Sequence, residues 1–244
     1  MRGCRFTSGV DFTFSEYRDT VLAPGQRLVL VDSEFAHRQR YGWDRPLAGI
    51  YAGNLNNLGE ALTLTCGADV VFTVPFADNW QLSTDGGGAS LTLIHPGPGL
   101  NLADPANWRP STPIDGTPGA ADAGPAFSGN PNADIDNDGV TAFAEYGLGS
   151  SDSIPDDSGG TKIIAQPDGT VLFSFVRAPA ADDAIVTPEV SPNLSAWHSD
   201  ESWLIPHSQE RLPDGRLLTR YSAGSTLLAS GPHVFFHLKI TARP

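Results

Sequence analysis

The 244-residue sequence has few cysteines and no long apolar run. Its two cysteines are Cys4 and Cys66, a number that excludes a disulfide framework and a CxxC metal site. A single bridge between them can still form in an oxidising compartment, although a buried free thiol is the commoner fate of such a residue. The missing apolar run excludes a membrane-spanning helix, so no transmembrane segment is expected.

Basic residues, methionine and a signal-peptide core are also scarce or missing. The chain has one methionine against 26 glycines and 20 prolines, and this composition favours many turns between short strands. Its 15 basic and 28 acidic side chains give a formal charge of −13, which argues against nucleic acid as a partner. The N-terminal residues contain no apolar signal core, a feature that by itself suggests a cytosolic protein.

The acidity is concentrated between residues 122 and 157, where eight acidic side chains occur without a basic one. Such a segment repels nucleic acid and attracts cations. Within it, residues 134–145 fit the twelve-residue calcium loop at every defining position. The predicted Ca²⁺ ligands are Asp134, Asp136, Asp138, Val140 and Glu145.

The spacing of this loop gives each predicted ligand a reason. The three aspartates converge on a hard cation because Gly139 allows a sharp turn between them and the helix. Val140 offers its backbone carbonyl, and Glu145 closes the site from the first turn of a short helix over residues 141–148. Because Pro131 leaves no entering helix, the loop resembles the lone EF-hand-like loops of dockerin-like and thrombospondin-like repeats. The alternative is an acidic, solvated linker.

Runs of alternating apolar and polar residues predict short strands on both sides of the acidic segment. Before it, the predicted strands are residues 10–14, 27–31, 61–65, 70–74 and 90–94. After it, they are residues 162–166, 170–176, 184–190, 217–221 and 234–240. We therefore predict an all-β protein with three parts. They are a β-sandwich over residues 1–119, an acidic linker with the calcium loop and one short helix over residues 120–160, and a second small β-sandwich over residues 161–244.

Several stretches of the first part occur in the order and spacing of one known family. They are GVDFTF at 9–14, LAPG at 22–25, LVLV at 28–31, LNNLGE at 55–60, Asp85-Gly86, Trp108 and GTPG at 116–119. With them, residues 1–119 resemble the lamin tail domain, an immunoglobulin-like β-sandwich found in nuclear lamins and in many secreted bacterial proteins. The stretch Val190–Trp197 and the last apolar strand resemble the β-domains that end large secreted bacterial proteins.

The resemblance has two implications, one for the start of the chain and one for its location. Lamin tail domains have further strands before the position at which this sequence starts, so we expect an N-terminally truncated module, either a fragment or the product of a misplaced start codon. A missing signal peptide then says little about the compartment. Family membership implies a secreted or cell-surface bacterial protein that binds or anchors, and it brings no catalytic residues.

Other chemistry-bearing residues form no recognised catalytic pattern, since neither HExxH nor GxSxG occurs. His233 and His237 share one face of the last predicted strand, where they either bind a metal or lie exposed. The acidic pairs Asp182-Asp183 and Asp156-Asp157 are interpreted as solvated loop residues. We expect no enzymatic activity. The leading hypothesis is a non-catalytic binding or adhesive module whose partner is an unknown protein or glycan at a cell surface; the alternative is an accessory C-terminal fragment of a larger secreted hydrolase.

An aromatic and basic stretch, residues 35–45, could contact an anion, a glycan or nucleic acid. Its three arginines are too few for a nucleic-acid footprint on so acidic a chain. The alternative interpretation is a long loop whose Tyr41 and Trp43 cover the edge of the first sandwich.

Overall fold

The computed structural model describes residues 1–16, 21–45, 47–155, 160–229 and 233–244. Within these ranges the chain forms mainly β-strands, together with three short α-helices, and the predicted all-β class is confirmed at this level. The strands are β1 (Cys4–Ser8), β2 (Val29–Val31), β3 (Leu47–Ile50), β4 (Gly59–Cys66), β5 (Asp69–Ala77), β6 (Leu91–Leu93), β7 (Trp108–Pro110), β8 (Lys162–Ala165), β9 (Val171–Arg177), β10 (Ala184–Ser191), β11 (Leu204–Arg211), β12 (Leu217–Ala223) and β13 (Phe235–Ala242). The helices are α1 (Glu34–Tyr41), α2 (Ala142–Leu148) and α3 (Ser225–Ala229). None of these helices is long and apolar enough to cross a membrane.

The chain divides into two compact units. The first unit consists of Met1–Gln81, Ser90–Arg109 and Asp115–Asp122. The second unit consists of Leu82–Ala89, Pro110–Ile114 and Ala123–Pro244. The described part of the acidic segment from residue 123 onwards, including α2, therefore clusters with the C-terminal strands.

The first unit is built around an antiparallel sheet in the order β1-β4-β5. Strands β4 and β5 form the predicted hairpin, and β2 pairs with β3 in parallel. The buried core of this unit contains Cys4, Phe14 and Leu64, with further apolar side chains packed around them. Burial of these apolar side chains is the main source of the unit's stability.

Cys4 and Cys66 form a disulfide bond, so the interpretation of a buried free thiol is wrong. The two residues are register partners on the antiparallel strands β1 and β4, which brings their Cα atoms to 4.1 Å. Strand β1 was not predicted from the sequence, and without it the two thiols had no reason to meet.

The predicted strand over residues 10–14 is also wrong, because these residues form only isolated bridges. Asp11 bridges to Ala52, and the Phe14 N–H donates to the Cys4 carbonyl at 2.8 Å. Val10 and Phe14 are nevertheless buried, as the alternating pattern indicates. The pattern identified the buried side chains, whereas the hydrogen bonds of the sheet are made by β1.

Residues 34–41 form helix α1. The long loop expected over residues 35–45 is therefore wrong for the first part of that stretch. The Ser33 side chain accepts a hydrogen bond from the Ala36 N–H at 3.2 Å, which is a typical N-cap. Glu34 and Arg38 then pair across one helical turn at 2.7 Å. Tyr41 donates to the Asp115 carbonyl, but Trp43 is 73% exposed and so does not cover a sheet edge.

The second unit has a four-stranded sheet in the order β11-β12-β9-β8 and a separate pair, β10-β13. The hairpin β8-β9 and the strands β10, β12 and β13 lie where the sequence predicted them. Strand β11 was missed, because Pro206 and several polar residues interrupt its apolar pattern. Helix α2 packs on β9, β10 and β13, and this packing positions the acidic segment.

Candidate metal site

Three aspartates of the predicted loop come together in the structure. One carboxylate oxygen each from Asp134, Asp136 and Asp138 lies within 4.8 Å of the others, and the three side chains are half-buried. Among the described residues this is the one group of three or more acidic, histidine or cysteine side chains with such a spacing. The three aspartates could hold a metal ion.

The backbone of the loop fixes one oxygen of each aspartate. The Gly139 N–H donates to Asp134 Oδ2 at 3.1 Å, the Asp138 N–H to Asp136 Oδ1 at 3.2 Å, and the Val140 N–H to Asp138 Oδ1 at 2.8 Å. Gly139 has a φ of +91°, which a residue with a side chain rarely adopts. The predicted role of this glycine in the sharp turn is therefore supported by its conformation.

Two of the remaining aspartate oxygens are buried without a hydrogen-bond partner in the described residues, which indicates a place for a ligand. Asp134 Oδ1 and Asp136 Oδ2 accept no hydrogen bond from any residue in the described ranges. A buried polar atom that stays unpaired destabilises the fold, and the penalty is larger for an ionised carboxylate. A bound cation would remove that penalty.

Glu145 does not belong to the group of three aspartates, but it has two buried oxygens of the same kind. Glu145 is 1% exposed, and neither Oε1 nor Oε2 has a hydrogen-bond partner in the part of the chain that the structure describes. Two backbone bonds bring it to the loop, because the Ala142 N–H donates to the Ala133 carbonyl at 2.7 Å and the Phe143 N–H to the Pro131 carbonyl at 3.3 Å. They join the start of the loop to the first turn of α2, on which Glu145 lies.

The electrostatics of the site favour a bound cation. Burial, followed by the charges of Asp136, Asp138 and Asp152, raises the pKa of Glu145. The Ser150 side chain partly offsets this rise in the pKa, although it is not in hydrogen-bond geometry with either carboxylate oxygen of Glu145. Burial also raises the pKa of Asp136, against the effect of the Asp138 N–H, and neighbouring carboxylates raise it further. The ionised forms of both carboxylates are therefore disfavoured, and a bound cation would neutralise them.

Asp152 is a residue of this region that the sequence analysis missed. It follows the C-terminus of α2, and its Oδ1 accepts a hydrogen bond from the Ile135 N–H at 3.0 Å. Its charge acts on both Asp136 and Glu145. The twelve-residue pattern ends at Glu145, so the one signal for Asp152 in the sequence was the long run of acidic residues without a basic one.

The predicted carbonyl ligand, that of Val140, stays a prediction.

Helix α2 is held against the second unit by packing and by hydrogen bonds. A Cβ atom added at Gly147 would lie 3.3 Å from methyl groups of both Ile240 and Val186, so the helix approaches these strands closely. The Tyr146 hydroxyl donates to the Pro125 carbonyl at 2.9 Å and accepts from the Asp183 N–H at 3.3 Å. These contacts fix the orientation of the face that carries Glu145.

The interpretation of Asp182 and Asp183 as solvated loop residues is wrong. Asp182 is buried and accepts a hydrogen bond from the Gly124 N–H at 3.4 Å. Asp183 Oδ2 accepts from the Phe127 N–H at 2.7 Å. Both carboxylates thus bind the backbone that leads into the loop. The pair Asp156-Asp157 lies outside the described residues.

The two histidines of the last predicted strand have different surroundings, and only His237 lies in β13. His237 Nε2 lies 2.7 Å from Glu189 Oε2, and its ring stacks on Trp197 with a centroid distance of 3.7 Å. Lys239 also lies near Glu189, at 3.7 Å. His233 is exposed, as the alternative interpretation expects, but it precedes the strand.

Comparison with known proteins gives no further assignment. No protein-family model, no curated protein and no solved structure matches the chain. The resemblance to the lamin tail domain therefore rests on the sequence stretches described above.

Proposed function

We propose that this protein is a non-catalytic binding module that carries a calcium ion in its second unit. The observation that supports the proposal is the set of four buried carboxylate oxygens without partners, one from Asp134, one from Asp136 and two from Glu145. The acidic segment offers them no basic partner, because residues 122–157 contain no lysine or arginine. A bound cation would neutralise these carboxylates and supply the partner that their oxygens lack.

The donor set favours calcium among the common ions. All its members are oxygens, whereas zinc sites in proteins are usually built from histidine and cysteine. Magnesium prefers a small octahedral site in which it keeps several waters. Calcium accepts six to eight oxygens with flexible geometry, and a glutamate often binds it through both oxygens. The two open oxygens of Glu145 suit that mode.

An exported location fits both the ion and the disulfide. Disulfides such as Cys4–Cys66 persist mainly in oxidising compartments, where calcium is also abundant enough to load a weak site. In this proposal the protein is secreted or attached to a cell surface, as a lamin-tail-like module, and its partner is a protein or glycan there. It acts by binding and does not catalyse a reaction.

Titration calorimetry with Ca²⁺ tests the proposal directly. The wild type should bind one ion with a dissociation constant on the order of 0.1 to 1 mM, as extracellular modules do. Glu145→Gln should weaken binding by about tenfold or more, because a charged, two-oxygen ligand is lost. Glu201→Gln is the matched control, since Glu201 is exposed in the same unit and the substitution changes the net charge equally. If the wild type does not bind Ca²⁺ at several millimolar, the proposal is refuted.

A further inference from the structure

We propose that Asp152 is a positioning and selectivity residue of this metal site, one that holds the loop backbone and adds a fifth negative charge. The inference rests on the proposed function, because it concerns the same ion. The observation that carries it is the hydrogen bond from the Ile135 N–H to Asp152 Oδ1, at 3.0 Å. Ile135 lies between Asp134 and Asp136, so this bond fixes the backbone that separates two of the ligands.

The chain returns to the loop by a defined turn. Gly149 ends α2 in the left-handed conformation, with a φ of +75°. The N–H groups of Gly149 and Ser150 both donate to the Glu145 carbonyl, at 2.6 and 3.1 Å. The turn that brings back Asp152 therefore starts from a proposed ligand residue, and residues 134–152 form one closed loop–helix–turn segment.

Asp152 acts on the ion from outside the group of three aspartates. Its carboxylate does not belong to the cluster whose oxygens lie within 4.8 Å of one another. Its charge nevertheless reaches Asp136 and Glu145, on which it acts together with the other carboxylates. With Asp152 the site has five acidic residues, so the formal charge exceeds that of a divalent ion by three.

An excess of negative charge has a consequence for selectivity. The attraction between Asp152 and a bound ion is proportional to the charge of the ion. Removing this one charge should therefore weaken binding of a trivalent ion by a larger factor than binding of a divalent ion of similar size. A residue with a purely structural role would lower both affinities by the same factor.

Two variants of the 244-residue chain separate the two roles. Asp152→Asn keeps an oxygen that can accept the Ile135 N–H and removes the charge. Asp152→Ala removes both. Glu201→Gln, exposed and in the same unit, is the control for a change in net charge. Binding of Ca²⁺ by calorimetry and of Tb³⁺ by luminescence is measured for each, and thermal melting confirms that each variant is folded.

We expect Asp152→Asn to weaken Ca²⁺ binding by about 3- to 10-fold and Tb³⁺ binding by a larger factor. Asp152→Ala should weaken both ions further, because the loop backbone is also released. Equal factors for the two ions in Asp152→Asn would overturn the selectivity role. Wild-type affinities in both variants would overturn the whole inference while leaving the proposed calcium site intact. A wild type that binds neither ion would overturn the inference and the proposed function together.

Discussion

Removal of calcium should loosen helix α2 from the second unit without unfolding its sheets. Without a cation, the carboxylates of Asp134, Asp136 and Asp138 repel one another across a few ångströms, and the charges of Asp136 and Asp138 also act on Glu145. Helix α2 has seven residues, which is too short for stability on its own. Its position therefore depends on its packing against β9, β10 and β13 and on the loop that precedes it.

The size of the effect follows from mass action and from the packing. A dissociation constant of about 0.1 to 1 mM and a few millimolar calcium stabilise the bound state by about 1 to 2 kcal/mol. Leu148 is the one large apolar side chain of α2 that is almost fully buried, at 6% exposure. Its burial contributes a similar amount, about 1.5 to 3 kcal/mol. Chelation should therefore shift α2 towards release but should not abolish its packing. For a unit of this size the melting temperature should fall by about 3 to 10 °C.

Amide hydrogen exchange locates the effect. The Ala178 N–H donates to the Gly147 carbonyl at 3.0 Å, and the Gly149 N–H donates to the Glu145 carbonyl. Both amides should exchange about 5 to 30 times faster in the chelator than in calcium, the factor that corresponds to 1 to 2 kcal/mol. Amides of the hairpin β4-β5, in the first unit, serve as the internal control and should not change.

Two results would refute this reasoning. Unchanged exchange at Ala178 and Gly149 would mean that the loop does not control α2. Loss of protection throughout β9 and β12 would mean that the ion supports the whole sheet, and the estimate of 1 to 2 kcal/mol would then be too small.

Two further predictions concern the disulfide and the pH dependence of the site. Replacing both Cys4 and Cys66 by serine should lower the free energy of unfolding of the first unit by about 2 to 4 kcal/mol, since the bond closes a loop with a sequence separation of 62. Denaturant unfolding measures this loss, and calcium affinity is the control that should not move. Burial raises the pKa of Glu145, so its contribution to the stability of the metal-free protein is fully present below the ordinary glutamate pKa and is lost as the pH rises through the raised value. Melting in chelator between about pH 4 and 8 should show this loss in the wild type relative to Glu145→Gln, and parallel curves for the two proteins would contradict it.

The loop was predictable because its information is local. Its three aspartates and Gly139 lie within a few consecutive residues, and the φ of Gly139 is the one that the turn demands. The helix predicted over residues 141–148 appears as α2 with nearly the same bounds. Spacing along the chain was enough here, since neighbouring residues determine the conformation.

The contacts that the sequence did not reveal all join distant residues. Cys4 meets Cys66 only through the register of β1 and β4, and neither residue carries a local sign of its partner. Asp152 reaches Ile135 only after α2 and the turn at Gly149 have formed. Helix α1 differs from these contacts because its signal is local: an N-cap serine is followed by an acidic first turn.

Acidity by itself did not distinguish a metal site from a solvated segment. Asp182 was interpreted as solvated, yet it is buried and binds the backbone at Gly124. Glu145 is buried more completely, and neither of its oxygens has a partner within the described ranges. A carboxylate in that position is destabilising unless a cation or a proton neutralises it. Helix α2, which carries Glu145, packs against β10 and β13, so the candidate metal site is a property of the folded second unit rather than of the twelve-residue motif alone.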